Sequence, residues 1–415
     1  MARNFAVPDF YRSELMSTLK RARLARDSKK QDLTPTILDV GPLRFKIARH
    51  FGFCFGVENA IEIAYRALDE NPSKRVFLLS EMIHNPHVNS DLLARGVKFL
   101  MGTDGTQLIP FSELHPEDIV IVPAFGTTVA LFQKLRDLGI EPTTYNATCP
   151  FVEKVWKRSA ELGKRGFSIV VHGKHTHEET RATFSHASEE APTIVILDMT
   201  EAQQLARVIR GELALENAAI DFAGRVSNGF DFGRDLQRIG VVNQTTMLAT
   251  DTHAISALLR EAIIARYGEE NVRDHFADTR DTLCYATYEN QEAVRNLIAS
   301  GGDIAVVVGG YNSSNTSHLV ELCAESVPTY HIKDAAEILS AQEIRHFDWA
   351  QHSIRTSPNW LPERQKQVAL EILITAGASC PDALVDAVLQ RIVTVSEIPE
   401  TLPTAVTQYL VEIAH

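Results

Sequence analysis

Residues 149–179 read CPFVEKVWKRSAELGKRGFSIVVHGKHTHEE. Cys149 opens a helical pattern over 152–164, and the apolar run 168–171 predicts a short buried strand. A polar cluster follows: His172, His175, His177, Glu178 and Glu179. The same order recurs twice. Cys54 follows a predicted strand at 45–48, opens a helical pattern over 57–68, and is succeeded by a strand at 76–79 and then Glu81, His84 and Asn85. Cys284 precedes a helical pattern over 288–299, a strand at 304–308, and then Asn312, Ser313, Ser314 and Asn315. The offsets Cys54 to His84, Cys149 to His177 and Cys284 to Ser313 are 30, 28 and 29 residues. Each unit therefore puts a thiol at a helix N-terminus and polar groups just past the C-terminal end of the next strand. In open α/β sheets both places lie on the ligand-binding edge. Three such units facing one another would gather three thiols at one point, and helix N-termini favour thiolate.

Outward from these units, further apolar runs at 119–122, 194–197 and 369–374 alternate with helical patterns. The expected fold class is α/β with mainly parallel sheets. Two stretches stand apart. Residues 12–30 carry Lys20, Arg21, Arg23, Arg26, Lys29 and Lys30 and read as a solvated helical arm. Residues 211–238 are weakly patterned, with Gly224, Gly229 and Gly233, and read as a surface insertion.

Composition narrows the function. The 415 residues are 45% apolar and 23% charged, with 41 basic against 53 acidic side chains and a net charge of −12. That balance argues against nucleic acid as a partner and against docking on anionic membrane. No apolar run approaches the roughly 18–20 residues that span a bilayer, and the polar N-terminus shows no secretory signal. The five cysteines, Cys54, Cys149, Cys284, Cys323 and Cys380, form no disulfide framework and no CxxC pair, which suits a reducing cytoplasm.

Three thiolates make an incomplete set for a structural zinc, which normally takes four ligands at short spacings. A [4Fe–4S] cluster on three cysteines would leave one iron open to substrate. Cys323, inside a helical stretch, reads as core filler, and Cys380 is not assigned as a ligand. No GxxxxGK[ST] or GxGxxG motif supports a nucleotide cradle. The segment GGYNSSNT (309–316) offers many neutral donors after an apolar strand. TAGASCP (375–381) joins a strand to a helix expected to begin near Pro381 and could present backbone N–H groups to an anion. A plain turn is the simpler reading of 375–381, whereas 309–316 is the stronger donor site, with a solvated loop as its alternative. The cluster His175, His177, Glu178, Glu179 fits either a zinc hydrolase or a proton relay, and it lacks the i, i+4 histidine spacing of a metalloprotease helix. Asn243, Gln244, Thr245 and Thr246 form another donor-rich strand end.

The strings GFCFGVENAIEIA (52–64), EMIHNPHVN (81–89), ATCPFVEKVW (147–156), HGKHTHEETRAT (172–183), NQTTML (243–248), DTLCYATYENQEAV (281–294), VVGGYNSSNTSHL (307–319) and TAGASCPDALV (375–385) resemble the 4-hydroxy-3-methylbut-2-enyl diphosphate reductase (LytB) family. The likeness runs collinearly from about 45 to 392 and is nearest the longer branch of cyanobacteria and plant plastids. It implies three α/β domains in a pseudo-threefold arrangement around a central iron–sulfur cluster. Their expected bounds are 45–148, 149–280 with the insertion 211–238, and 281–394, flanked by an extension at 1–44 and a tail at 395–415. It implies one [4Fe–4S] cluster on Cys54, Cys149 and Cys284 with an open fourth iron. Its substrate is an allylic alcohol bearing a diphosphate, which loses its hydroxyl in the last step of the methylerythritol phosphate route to isoprenoids. By motif position the resemblance assigns the diphosphate to His84, His177, Ser313, Ser314, Asn315 and Ser379. It assigns proton delivery to Glu179 rather than Glu178, with Thr245 holding the substrate hydroxyl. It implies a ferredoxin or flavodoxin as electron donor and a bacterial cytoplasmic setting rather than the plastid stroma. The basic arm at 12–30 is a candidate docking site for that donor. One departure stands out: where many shorter members carry a diphosphate-binding His-Gly pair, this chain has Phe125-Gly126. Two other readings remain open here, a zinc-dependent hydrolase using His175 and His177, and a non-catalytic cluster-binding sensor.

Overall fold

The computed structural model describes residues 5–414 apart from 278, 280, 281, 283 and 363–368. The chain forms two compact units, Met1–Glu58 with His84–His87 and Tyr285–His415, and Asn59–Ile83 with Val88–Cys284. The expected boundary at 280/281 lies outside the described residues.

The first unit is built on a seven-stranded sheet. At its heart is Ile304–Val308, IAVVV, with every residue buried. A run of β-branched residues without alternation is what a strand covered on both faces requires. It pairs in parallel with Thr329–Ile332 and with Leu370–Ala376, which pairs in parallel with Leu43–Ile47. Antiparallel strands finish both edges: Thr36–Val40 on one, and the hairpin Glu343–Asp348 and Ser353–Pro358 on the other. Ile304, Val306, Val308, Ile372 and Ile374 share one core and are essentially inaccessible. Burying each such side chain contributes about 1.5–3 kcal/mol.

Two expectations are corrected here. The strand near 45, expected to open the first domain, instead completes the sheet of the expected third one. The basic stretch is helical over Glu14–Arg26 but is no solvated arm: Met16 and Leu19 enter the core, Ser13 Oγ donates to Asp386, and Lys20 Nζ donates to Asp382 and to the Phe51 carbonyl. The tail is likewise structural. Its helix Leu402–Ala414 buries Leu402, Ala405, Val406 and Tyr409 in the same core. A narrow apolar stripe among many charges looks solvated until something packs against it.

The second unit holds two fully parallel sheets. One orders Lys98–Phe99, Val76–Leu78 and Ile119–Ile121; the other orders Thr193–Ile196, Ser168–His172, Ile239–Asn243 and Phe276–Ala277. Residues 211–238 lie largely at the surface but are anchored to the core. Their short helices Leu215–Asp221 and Phe232–Asp235 place Ala218, Phe222 and Phe232 in the core. Ser227 N–H donates to the Thr193 carbonyl, and Val195 N–H to that of Arg225, so the segment covers an edge strand.

The thiol–helix–strand repeat is present throughout. Helices Phe55–Glu70, Pro150–Lys164 and Tyr285–Ala299 follow the three cysteines, and strands Val76–Leu78, Ser168–His172 and Ile304–Val308 follow the helices. Among the described residues no helix is long and apolar enough to cross a membrane.

Candidate active site

In the first unit, two loops leave adjacent parallel strands at their C-terminal ends. One is Gly309–Ser313, after Ile304–Val308; the other runs through Gly377, Ala378 and Ser379, after Leu370–Ala376. They are tied together. Gly377 N–H donates to the Val308 carbonyl at 3.1 Å, and Ala378 N–H donates to Asn315 Oδ1 at 2.8 Å. Ser313 caps the helix Ser314–Ala324, its Oγ accepting from Thr316 N–H and, at 2.9 Å, from Thr316 Oγ1. Ser379 Oγ lies 3.5 Å from Ser313 Oγ and donates to the His84 carbonyl at 3.2 Å.

Gly310 is required by that last neighbour, since a Cβ there would sit 2.4 Å from the His84 carbonyl oxygen. Asn312 Nδ2 lies 3.2 Å from His84 Nδ1. With the amide donating, the neutral ring keeps its proton on Nε2 and presents a donor there. Asn315 is 3% exposed, and its Nδ2 has no hydrogen-bond partner. A buried unsatisfied donor costs about 1–3 kcal/mol, so its persistence points to a missing acceptor. His84, Ser313 and Asn315 thus form a cradle of polar groups at a helix N-terminus, a setting suited to an anion, beside Ser379, whose hydroxyl proton goes to the His84 carbonyl. The loop 375–381 joins strand to helix as expected, but Pro381 is the cap of Asp382–Val395 rather than its first turn, and the N–H groups of Gly377, Ala378 and Cys380 are spent on Val308, Asn315 and Gly377.

In the second unit, His177 caps the helix Glu178–Ser188, its Nδ1 accepting from Glu179 N–H at 3.2 Å. That bond leaves Nε2 as the protonated nitrogen of the neutral ring. Phe125 stands edge-on to His177, with centroids 5.7 Å apart and planes at 85°. Glu179 is 1% exposed. Its two oxygens accept from Thr245, one from the backbone N–H and one from Oγ1 at 2.9 Å. Glu178 faces elsewhere, lining a separate cavity of about 260 Å³ with Ser80, Thr127, Thr128 and Arg181. Gln244, which the sequence left without a role, braces this end. Its Oε1 accepts from Thr180 Oγ1 at 2.9 Å and from Lys174 N–H.

The histidines of this cluster do not share a face. His172 is buried against Thr252 Oγ1 at 2.9 Å, His175 is exposed, and His177 spends Nδ1 on the cap. Among the described residues, no group of three or more His, Cys, Asp or Glu side chains is arranged to hold a metal ion.

The five cysteines separate into two kinds. Cys323 and Cys380 are wholly buried, and burial pushes the Cys323 thiol up to about 12 and the Cys380 thiol up as well. Both are inert core residues. Cys54, in the first unit, and Cys149 and Cys284, in the second, each precede a helix. Cys54 N–H donates to the Ala378 carbonyl, and its own carbonyl accepts from Glu58 N–H. Cys149 N–H donates to Ala124, and its carbonyl accepts from Glu153 N–H. A cysteine just before a helix is in a setting that favours thiolate, the form that binds soft metals such as iron.

A family profile described as LytB protein matches residues 45–393. The chain belongs to the LytB family. It is 40% identical over 358 residues to a 4-hydroxy-3-methylbut-2-enyl diphosphate reductase from Synechococcus sp., covering 86% of this chain and 85% of that one. It is 40% identical over 355 residues to a protein of the same name from Thermosynechococcus vestitus, covering 85% of each. A solved structure, the E-1-hydroxy-2-methyl-but-2-enyl-4-diphosphate reductase from Plasmodium falciparum, superimposes with a TM-score of 0.59 at 20% identity, covering 84% of this chain and 87% of that one. That likeness supports the α/β fold of this LytB-family chain.

Proposed function

We propose that this LytB-family chain reduces (E)-4-hydroxy-3-methylbut-2-enyl diphosphate to isopentenyl and dimethylallyl diphosphate. The observation that carries this reading is the pairing of chemistries. One unit holds a neutral-donor anion cradle with an orphaned Asn315 amide, and the other holds a buried carboxylate locked to a hydroxyl. The reaction takes one allylic alcohol, two electrons and two protons, breaks the C–O bond, and yields water and the olefin. One proton leaves as part of that water and the other goes to carbon.

Cys54, Cys149 and Cys284 would hold a [4Fe–4S] cluster with one iron open. When bound, it supplies the electrons and a Lewis acid for the hydroxyl oxygen. The protein's own residues do the rest. His84, Ser313, Ser314, Asn315 and Ser379 bind the diphosphate, and His177 is assigned the same role through Nε2–H. Because these donors are neutral, they hold an anion remote from the reacting carbon without competing for protons. Glu179 delivers the proton to the departing oxygen, since hydroxide is a poor leaving group. Thr245 Oγ1, which donates to Glu179, would hold the substrate hydroxyl beside that carboxyl group. Phe125 supplies packing against His177 in place of a second diphosphate donor. A ferredoxin or flavodoxin provides the electrons.

The test is protein purified without oxygen, assayed for iron and acid-labile sulfide and then with substrate and dithionite. About four of each per chain and turnover to both olefins are expected. Zinc alone, or an absence of iron in protein never exposed to air, refutes the reading.

A further inference from the structure

The hairpin Glu343–Asp348 and Ser353–Pro358 carries none of the assigned residues and lies at the edge of the large sheet. It nevertheless reaches the anion cradle through side chains of its own unit. Trp349, in its turn, donates Nε1–H to His331 Nδ1 at 3.2 Å. The two ring centroids are 5.8 Å apart and their planes are parallel to within 6°. His331 lies on Thr329–Ile332, opposite Val307 in the central strand and opposite Phe347 in the hairpin. Its other nitrogen, Nε2, is 3.1 Å from the carbonyl of Gly309, the first residue of the cradle loop.

With Nδ1 accepting and Nε2 donating, the ring is neutral and used at both ends. It is fully buried, and burial pushes its pKa down to about 4. Two more rings close the box. Tyr311, next in the loop, meets His331 edge-on at 5.1 Å and stacks on Phe347 at 5.2 Å, and Phe347 meets Trp349 at 4.9 Å.

The loop needs such a support. Gly309 and Gly310 have no side chains with which to hold it, and Gly310 must pass the His84 carbonyl with no room for a Cβ. A small displacement at Gly309 would move Asn312, which touches His84, and Ser313, whose N–H donates to the Gly310 carbonyl. We propose that the edge hairpin sets the geometry of the anion cradle through a Trp349–His331–Gly309 strut, which makes His331 and Trp349 positioning residues for the diphosphate. This rests on the reading of the cradle as the diphosphate site.

The experiment measures the affinity of the intact, anaerobically purified protein for inorganic pyrophosphate by calorimetry, together with KM and kcat for the substrate. Trp349→Phe keeps the ring and removes the donor; His331→Phe removes both polar ends; His331→Gln restores a donor toward Gly309. Trp349→Phe and His331→Phe should weaken pyrophosphate about five- to tenfold and raise KM by a similar factor with kcat little changed. His331→Gln should recover part of the loss. Trp360→Phe is the control for general softening. Trp360 is 1% exposed and donates to the Ser340 carbonyl, so its variant should melt earlier with pyrophosphate affinity intact. Ser313→Ala separates the two claims. If it leaves pyrophosphate binding unchanged, the diphosphate reading of the cradle fails. If it weakens binding while Trp349→Phe and His331→Phe do not, the strut alone fails. An equal loss of affinity in Trp360→Phe also overturns the strut.

Discussion

The two polar clusters of this protein are held in opposite ways. The His177–Glu179 cluster takes its backbone shape locally, from a cap bond that spans two residues, while two bonds from Thr245, 66 residues on, hold the Glu179 carboxylate. The anion cradle is assembled from His84, Ser313 and Ser379, residues far apart in sequence, on loops of glycine and small polar residues. A helix cap is set by the first turn it begins, whereas a glycine loop takes its shape from whatever surrounds it. The acid therefore depends on one distant residue, Thr245, and the cradle on several loops.

The sharpest test of the contrast is Glu179→Gln. It should lower kcat by about 10²–10⁴-fold while pyrophosphate binding is retained; retention of full activity would remove Glu179 from its role. The next effect is acid sensitivity of the cradle's support. His331 has a depressed folded pKa, so the unfolded chain binds its proton more readily. The stability it contributes is complete above about pH 6.5 and is lost as pH falls toward 4, by roughly 3 kcal/mol at the lower limit. Thermal melts of the wild type and His331→Gln across that window should diverge in slope; parallel curves would contradict it.

Asn315→Ala comes third. It removes the acceptor for Ala378 N–H together with the orphaned donor, and should cost about 1–3 kcal/mol of stability and weaken pyrophosphate roughly tenfold. The smallest effect belongs to Lys20→Met. The Lys20–Asp382 pair is partly exposed, with side chains 33% and 18% accessible, so solvent screening limits its loss to under about 1 kcal/mol. A shift in melting temperature larger than that of Asn315→Ala would show that the N-terminal helix matters more than the cradle's own bonds.

Much of this was legible beforehand. The all-apolar run 304–308 could only be a doubly covered strand, and the thiol-to-cluster offsets placed helices and strands correctly three times over. Glu179 could be preferred over Glu178, and the two now face different surroundings. The N-terminal helix reads as solvated, and the segment 211–238 as weakly patterned, because each buries only a few apolar residues amid polar ones. His331 and Trp349 carried no signal, since a lone histidine in a strand and a tryptophan in a turn have no motif.

Sequence alone determined the local chemistry: where cysteines precede helices, which strands are buried on both faces, and which loops are rich in neutral donors. These depend on neighbours within a few positions, so a linear pattern records them. Only the tertiary structure decided that Leu43–Ile47 joins the sheet of the third repeat, that Asn315 keeps an unanswered donor, and that an edge hairpin braces Gly309. Those are long-range pairings, and their partners lie too far along the chain for spacing to reveal them.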